Sequence, residues 1–577
     1  MPLNPLRDYQ EEDVALILEE FKTSKSTLYH AATGLGKTRV VTEVAKRMLP
    51  KRTLFLCHRS ELIFQTHRTF TDAGIECQIE KAELIASTNL FTRSPAVLAS
   101  VQTMLSGEID KKRMARFKPS DFGLLIYDES HHSVSKGNKT IVDYFTSGNP
   151  DLRVLGATAT PDRADEEALG QIFETVVGDR DILFGIDNGW LVEPLQQMIH
   201  ISGIDFSHVR TTAGDLNGAD LSAVMEAESS IQGVVMPTLE AMYGLPTKTL
   251  LSCTPDCWAN VLRDQGKKPK RTIVFTVSVN QAETLCSIFN RVIPGIAAWV
   301  CGKTDDATRE QTFKDFYIGS VSILVNCGVT TEGYDNPYVE LIAMARPTKS
   351  RSLYCQCIGR STRTLPGLVD GMHTKEERLA AIAASSKPKA LILDFVGNSG
   401  KHKLISVADI LGGRVSERAA ELAVLKAKNK GVPVSMTEAM QDEENELRKK
   451  AESARLQIEA RKNRVVAKVS YSKTSINPFN MLDIVPVKER GWDSGKVLSE
   501  KQRGVILKMG INPDTLSYGQ GRQLLVEQFR RWGGKLCTLK QAAILKKRNP
   551  QLNTKNLSFK AASDMITSIA EKEGWRK

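Results

Sequence analysis

Near the start of the chain, the run Thr33-Gly34-Leu35-Gly36-Lys37-Thr38 sets two glycines, a lysine and a hydroxyl within reach of one another. Gly34 and Gly36 allow a tight turn whose amides face a pyrophosphate at a helix N-terminus, where the helix dipole also favours negative charge. Lys37 adds a positive head for β- and γ-phosphates, and Thr38 a hydroxyl for Mg²⁺. Patterns of this kind usually open on a glycine, here replaced by Ala31. A chance Gly-Lys-Thr in a loop is therefore the bland alternative, to be answered by what else the chain carries. In FGLLIYDESHH, Asp128 and Glu129 directly follow an apolar run. Asp128 can hold Mg²⁺ through its water shell, and Glu129 can orient or deprotonate the water that attacks a γ-phosphate. An acidic turn beside a surface histidine is the bland reading there. Arg360 and Arg363, three apart on what reads as the start of a helix in QCIGRSTR, can face one way. An arginine offered across a cleft stabilises the charge of phosphoryl transfer.

Each group needs an element to hold it. TLYHA (Thr27 to Ala31) reads as a strand, and Val40, Val41, Val44, Ala45 and Met48 recur at helical spacing, so the glycine turn joins strand to helix. An amphipathic helix carrying Val14, Ile17, Leu18 and Phe21 precedes it, with Arg7 and Gln10 just ahead of the turn. Thr53 to Gln65 and Ala96 to Met104 are buried strands ending in Arg, Ser, Gln and Thr, at the edge where open α/β sheets bind ligands. Leu124 to Tyr127 reads as a central parallel strand and Arg153 to Pro161 as another. Residues from about 162 to 270 are less regular. A second alternation of strands and helices then runs to ALILDF, predicting a second parallel sheet with helices on both faces.

The ordered set AATGLGKT, DESH, TAT, TEGYD and QCIGRSTR, over roughly residues 5 to 400, resembles the superfamily 2 DExH helicases and translocases. The nearest-looking branch holds RadD-like proteins, type III restriction motor subunits and Rad25-type translocases. The resemblance implies two tandem RecA-like, doubly wound parallel-sheet domains of α/β class, clamping ATP between them, with a nucleic-acid strand across the top. Carried over by motif, it implies that Arg7 and Gln10 recognise adenine and that Thr33 to Thr38 hold phosphates and Mg²⁺. Gly333 and Asp335 would meet the nucleotide, Asp335 at its ribose. Asp128 and Glu129 would run hydrolysis, and Gln356, Arg360 and Arg363 would act from the second domain. His131, Thr158 and Thr160 would couple the two sites, and Arg59, Gln102 and Thr103 would touch nucleic acid. The box departs from the commoner pattern at Ser130. RadD-like zinc modules are not visible, so that family's partners do not transfer.

Of 577 residues, 78 are Lys or Arg and 67 Asp or Glu. The excess is local: residues 414 to 577 hold 33 basic against 18 acidic side chains, and residues 1 to 413 are slightly acidic. Such asymmetry points to an appended segment that meets a polyanion. No apolar run is long enough to span a bilayer, so no membrane role is expected. The closest of the ten cysteines, Cys253 with Cys257 and Cys355 with Cys357, lack a second pair at zinc spacing, which fits reduced thiols in a cytosolic protein.

The expected organisation is a first RecA-like domain to residue 200, a second over 201 to 413, a charged helical connector over 414 to 490, and a small helical module over 491 to 577. In the module, LSEKQRGVILKMG resembles CTLKQAAILKKRN and LSYGQGRQLL resembles LSFKAASDMI, with Trp532 and Trp575 closing the halves. Two such units are expected to pack together. The basic, mostly α-helical C-terminal region is thus either a DNA or partner module or a cap on the motor. The expected activity is ATP-dependent movement on, or remodelling of, DNA. An RNA helicase and the ATPase switch of a restriction or defence complex are the alternatives, and no protein partner can be named.

Overall fold

The computed structural model describes residues 5–58, 60–89, 91–107, 112–130, 136–159, 169–170, 172–212, 214–246, 249–250, 257, 260–262, 268–330, 334–398, 404–411, 416–430, 432–462, 478–484, 486, 496–549 and 551–573. Arg59, His131, Thr160 and Gly333 lie outside them. The chain forms two compact units, one of residues 1–162 and 169–448 and the other chiefly of 449–577.

Within the first unit the order is α1 (Asp8–Glu20), β1 (Ser26–Ala31), α2 (Lys37–Arg47), β2 (Thr53–Cys57), α3 (Ser60–Asp72), β3 (Cys77–Glu80), β4 (Ala96–Ser100), α4 (Val101–Leu105), β5 (Leu124–Asp128), α5 (Lys136–Gly148), β6 (Arg153–Thr158) and β7 (Thr175–Arg180). The seven strands are parallel, in the order β3-β4-β2-β5-β6-β1-β7. TLFLC, AVLAS and LLIYD are buried throughout, as strands covered on both faces must be. Register places the chemistry: His30 pairs with Thr158, and Asp128 with Ala157. Strand β6 thus stands between β1 and β5, and the glycine turn and both carboxylates emerge at the same edge.

The second sheet joins β8 (Pro194–Asp205), β11 (Thr272–Thr276), β12 (Ala297–Cys301), β13 (Ile323–Cys327), β14 (Leu341–Ala345), β15 (Ala390–Asn398) and β16 (Val434–Ser435) in the order β12-β13-β11-β14-β15-β8-β16. Only β16 runs antiparallel to its neighbour. Strand β8 pairs with β15 from Pro194 onward, so the boundary expected at residue 200 falls inside a strand of the second sheet. A two-stranded ribbon of β9 (Thr211–Thr212) and β10 (Asp215–Leu216) follows β8. The stretch expected to be irregular then holds helices Gly218–Met225 and Glu228–Tyr243. The longer buries Ile231, Val234, Val235, Leu239 and Met242 against one face of the sheet. Pro237 inside that helix hides its periodicity from a sequence reading.

The first part of the charged helical connector expected over 414 to 490 is docked on the second sheet's unit. Helix Glu417–Lys430 buries Ala419, Ala423 and Ala427, one turn apart, and Met436 and Met440 open a helix that joins the same apolar cluster. Strand β16 adds a short edge to the sheet, and Lys426 pairs with the buried Glu443. An alanine seam carries little hydropathy, so a docked helix reads as an exposed one. Residues 414 to 448 therefore belong to the first unit.

In the second unit, helices Glu500–Lys508, Tyr518–Gly533 and Leu539–Arg548 start with capping boxes at Ser499, Ser517 and Thr538, each closed by a glutamine three residues on. The fourth helix is Phe559–Glu573. Met509 and Leu524 of the first pair meet Leu539 of the second around Phe479 and Leu482, so the two halves of the repeat do pack together. Trp532 is exposed, and Trp575 lies outside the described residues.

Helix Arg351–Ile358 is pinned by a buried polar knot: the Tyr354 hydroxyl donates to Asp394 Oδ2 at 2.6 Å, and the Gln196 amide donates to the same oxygen. Burial pushes the Asp394 carboxyl up to about 6, against the opposing pull of both donors. Folded Asp394 then holds its proton more tightly than the unfolded chain does. The associated stability is present below about pH 4 and lost as pH rises through 6. Asp394→Asn should flatten that segment of the curve by about 1 kcal/mol between pH 5 and 7, read from denaturant midpoints.

Candidate functional site

The glycine turn is held in the shape its residues suggest. Gly34 and Gly36 lie at φ +91° and +78°, in the region that favours glycine. A Cβ on Gly36 would sit 2.6 Å from Gln10 Nε2, and one on Gly34 2.9 Å from Leu191 Cδ2. Ala31 needs no such freedom, being the last residue of β1, and its carbonyl accepts from Lys37 Nζ at 3.2 Å. Gly36 caps α2 without a side-chain acceptor, leaving the first amides of the helix for an anion. Tyr9 Oη and Gln10 Nε2 donate to the buried Leu35 carbonyl at 2.7 and 3.0 Å. Gln10 Oε1 accepts from the Arg7 amide at 3.1 Å. Gln10 is thus a buried brace behind the turn, whereas Arg7 lines the open side.

That side is a cleft of about 370 Å³ between the two sheets. Thr33, Gly34, Gly36, Lys37, Thr38, Asp128 and Glu129 line it from the first sheet, and Asp335, Arg360 and Arg363 from the second. Contact is close: a Cβ on Gly359 would lie 2.6 Å from Thr33 Cβ. Burial lowers the Lys37 pKa; Arg360 and Arg363 press it further down, and Glu129 and Asp128 hold it up. Asp128 Oδ1 accepts from the Glu129 amide at 3.1 Å, and Glu129 itself sits at φ +49°, a left-handed backbone that costs a non-glycine residue on the order of 1 kcal/mol. Ser130 is fully buried, and its hydroxyl donates to the Ala157 carbonyl at 3.2 Å, tying the acidic turn to β6. The hydroxyl that departs from the commoner box therefore has a use.

The two arginines lie just beyond helix Arg351–Ile358 and not at the start of a helix. Arg360 donates to the Tyr334 carbonyl, and Arg363 pairs with Asp335. Burial brings the Arg363 pKa down to about 10, so it stays charged at neutral pH. Gln356 is buried on the helix and does not line the cleft. Thr158 is buried at the end of β6. Gln102 and Thr103 stand on α4 and do not line the cleft; Ser100 caps that helix, its hydroxyl accepting from the Thr103 amide at 3.1 Å and donating to the Thr103 hydroxyl at 2.7 Å.

Trp190 was not legible as a site residue. It lines the cleft, with the guanidinium of Arg7 4.6 Å and that of Arg378 3.8 Å from its ring centroid. Arg378 also donates to the Asn188 carbonyl at 2.7 Å, holding the turn that presents the ring. A flat ring flanked by cations suits a planar heterocycle.

Comparison with known proteins agrees with this architecture. Residues 4–163 match the family described as "Type III restriction enzyme, res subunit", and residues 254–364 match "Helicase conserved C-terminal domain". "Putative ATP-dependent helicase IRC3" of Saccharomyces cerevisiae is 29% identical over 71% of this chain and 54% of its own length. "Putative mitochondrial ATP-dependent helicase irc3" of Schizosaccharomyces pombe is 29% identical over 63% and 56%. "Putative DNA 3'-5' helicase Rad25" of Haloarcula marismortui is 26% identical over 62% and 50%. The chain spans about half the length of these curated relatives. The two matched models, in this order, and the relatives' names support a superfamily 2 helicase or translocase family.

Lys37→Ala should abolish ATP turnover. Glu129→Gln should keep nucleotide affinity and lose more than a hundredfold in hydrolysis, about 3 kcal/mol of transition-state stabilisation. Equilibrium nucleotide binding alongside a phosphate-release assay separates the two; wild-type turnover in Glu129→Gln would remove the acidic turn from the chemistry.

Proposed function

We propose that this chain is a nucleic-acid-dependent ATPase that moves along or remodels DNA. The observation that carries the reading is the cleft itself: phosphate-binding lysine, paired carboxylates and two arginines converge there from two separate sheets. With ATP in the cleft, the α2 amides and Lys37 would bind the phosphates, and Arg7 and Trp190 would flank the base. Glu129 would accept the proton of the attacking water, and Arg360 and Arg363 would turn from Tyr334 and Asp335 toward the γ-phosphate, where charge builds in the transition state. Mg²⁺ would neutralise phosphate charge. The donor set suits that ion, since Thr38 and Asp128 line the cleft with oxygen donors. Hydrolysis would loosen the link between sheets and let one domain ratchet past the other.

DNA is favoured over RNA by the names of the relatives, which call one a DNA helicase. A cytosolic setting is supported by the nine described cysteines, all free thiols. No helix among the described residues is long and apolar enough to cross a membrane. ATPase rate on matched single-stranded, duplex, forked and four-way DNA and RNA tests the substrate. Stimulation by RNA alone would select the RNA-helicase reading, and stimulation by neither would select a protein-assembly switch.

Nucleic-acid affinity outside the motor belongs to the same proposal. Residues 463–577 carry 22 Lys and Arg against nine Asp and Glu. Because residues 417 to 448 are part of the first unit, the informative truncation is after Lys462 rather than near residue 413. The shortened protein should keep basal ATPase but bind DNA more weakly. Its slope of log K against log salt should shrink by about 0.9 for each duplex phosphate that the module no longer neutralises. Unchanged affinity and slope would make the basic module a partner or packing element.

A further inference from the structure

Lys387, which no sequence motif marks, is 1% exposed although it ends in an ammonium group. A lysine is buried at tolerable cost only where acceptors replace its water. Here two do: Nζ donates to the Arg363 carbonyl at 2.7 Å and to the Pro337 carbonyl at 2.8 Å. These carbonyls belong to the two segments that form the second domain's side of the cleft. One carries Tyr334 and Asp335, and the other Arg360 and Arg363.

The segments are joined in three ways. Arg360 reaches the Tyr334 carbonyl, Arg363 pairs with Asp335, and Lys387 bridges the main chains. The first two use side chains that must let go if they are to reach a phosphate. Lys387 does not line the cleft and has no reason to move. Behind it, the Val192 amide donates to the Thr362 carbonyl at 2.6 Å, and Leu191 bridges to Arg363, so the turn is fixed on its other edge too.

We propose that Lys387 is a positioning residue for Arg363: it clamps the main chain of the arginine turn to the Asp335 segment, so that Arg363 can exchange its carboxylate for a phosphate without the turn shifting. The inference rests on the ATPase reading above. Burial brings the Lys387 pKa down to about 7, Glu340 favours its charge, and Arg363 opposes it. Either protonation state retains hydrogens enough for two carbonyls. The clamp therefore does not depend on that titration.

The test compares Lys387→Met, Lys387→Gln and Lys387→Arg in the full chain at saturating DNA, with kcat, KM for ATP, and affinity for ADP alone and for ADP with aluminium fluoride, a mimic of the transferring phosphoryl group. Lys387→Met should lower kcat by about ten- to a hundredfold, the loss expected when a catalytic group is displaced by about 1 Å. KM and ADP affinity should stay within about threefold, and the fluoride complex should weaken by the same factor as kcat. Lys387→Gln, which keeps a donor, should fall less and takes the place of Lys387→Met if that variant proves too unstable to assay, and Lys387→Arg should recover part of the rate. In an Arg363→Ala background, Lys387→Met should cost no more than about twofold further, because it acts through Arg363. An unchanged kcat, an equal loss in both backgrounds, or ADP affinity falling along with kcat would overturn the proposal. Wild-type hydrolysis by Arg363→Ala would instead overturn the arginine's role in the ATPase reading, and the clamp with it. An inactive Arg363→Ala beside a fully active Lys387→Met would overturn the clamp alone.

Discussion

Three cations from two sheets, Lys37, Arg360 and Arg363, face one cleft, and like charges held that close in a partly dry space repel. Their convergence is stable only with negative charge among them. In the structure Asp128 and Glu129 answer Lys37, and Asp335 answers Arg363. A triphosphate brings several negative charges to the same place and can be reached from both sides. The electrostatics that make the closed cleft costly without an anion therefore make an anion the natural bridge between the domains. On the ATPase reading proposed above, this would couple the state of one small molecule to the relation of two large bodies, as a motor requires.

The sheets exist to hold that arrangement. Because β5, β6 and β1 are neighbours in parallel register, the carboxylates and the glycine turn leave the sheet at one edge, separated by a single strand. A one-residue slip of β5 would turn the alternation of buried side chains inside out and withdraw Asp128 from the cleft. The strain at Glu129 fits the same picture: the backbone leaves β5 in an unfavourable conformation, held by the buried Ser130 hydroxyl one residue on.

What could be read from the chain alone was whatever is local. The glycine turn, the apolar strand before Asp128 and each strand and helix in the second domain's alternation are encoded within short runs of residues. Arg360 and Arg363 are legible as chemistry but not in their placement, which is just past the end of helix Arg351–Ile358 rather than at a helix start. The docked helix at 417–430 was misread because alanine gives a packing face without a hydropathy signal. Trp190, Arg378 and Lys387 are invisible for a different reason: each acts through partners contributed by distant segments. The helical repeat was legible because its caps are local.

The central claim is that one hydrolytic site is assembled from both halves of a single chain. Its most direct test is single-turnover ATP hydrolysis by Arg360→Ala with Arg363→Ala, with ATP binding measured in the same preparation. A complete first-domain site should still bind ATP, while hydrolysis falls by roughly a thousandfold or more, the scale of arginine loss in phosphoryl transfer. Hydrolysis at the wild-type rate in that double variant would contradict the account.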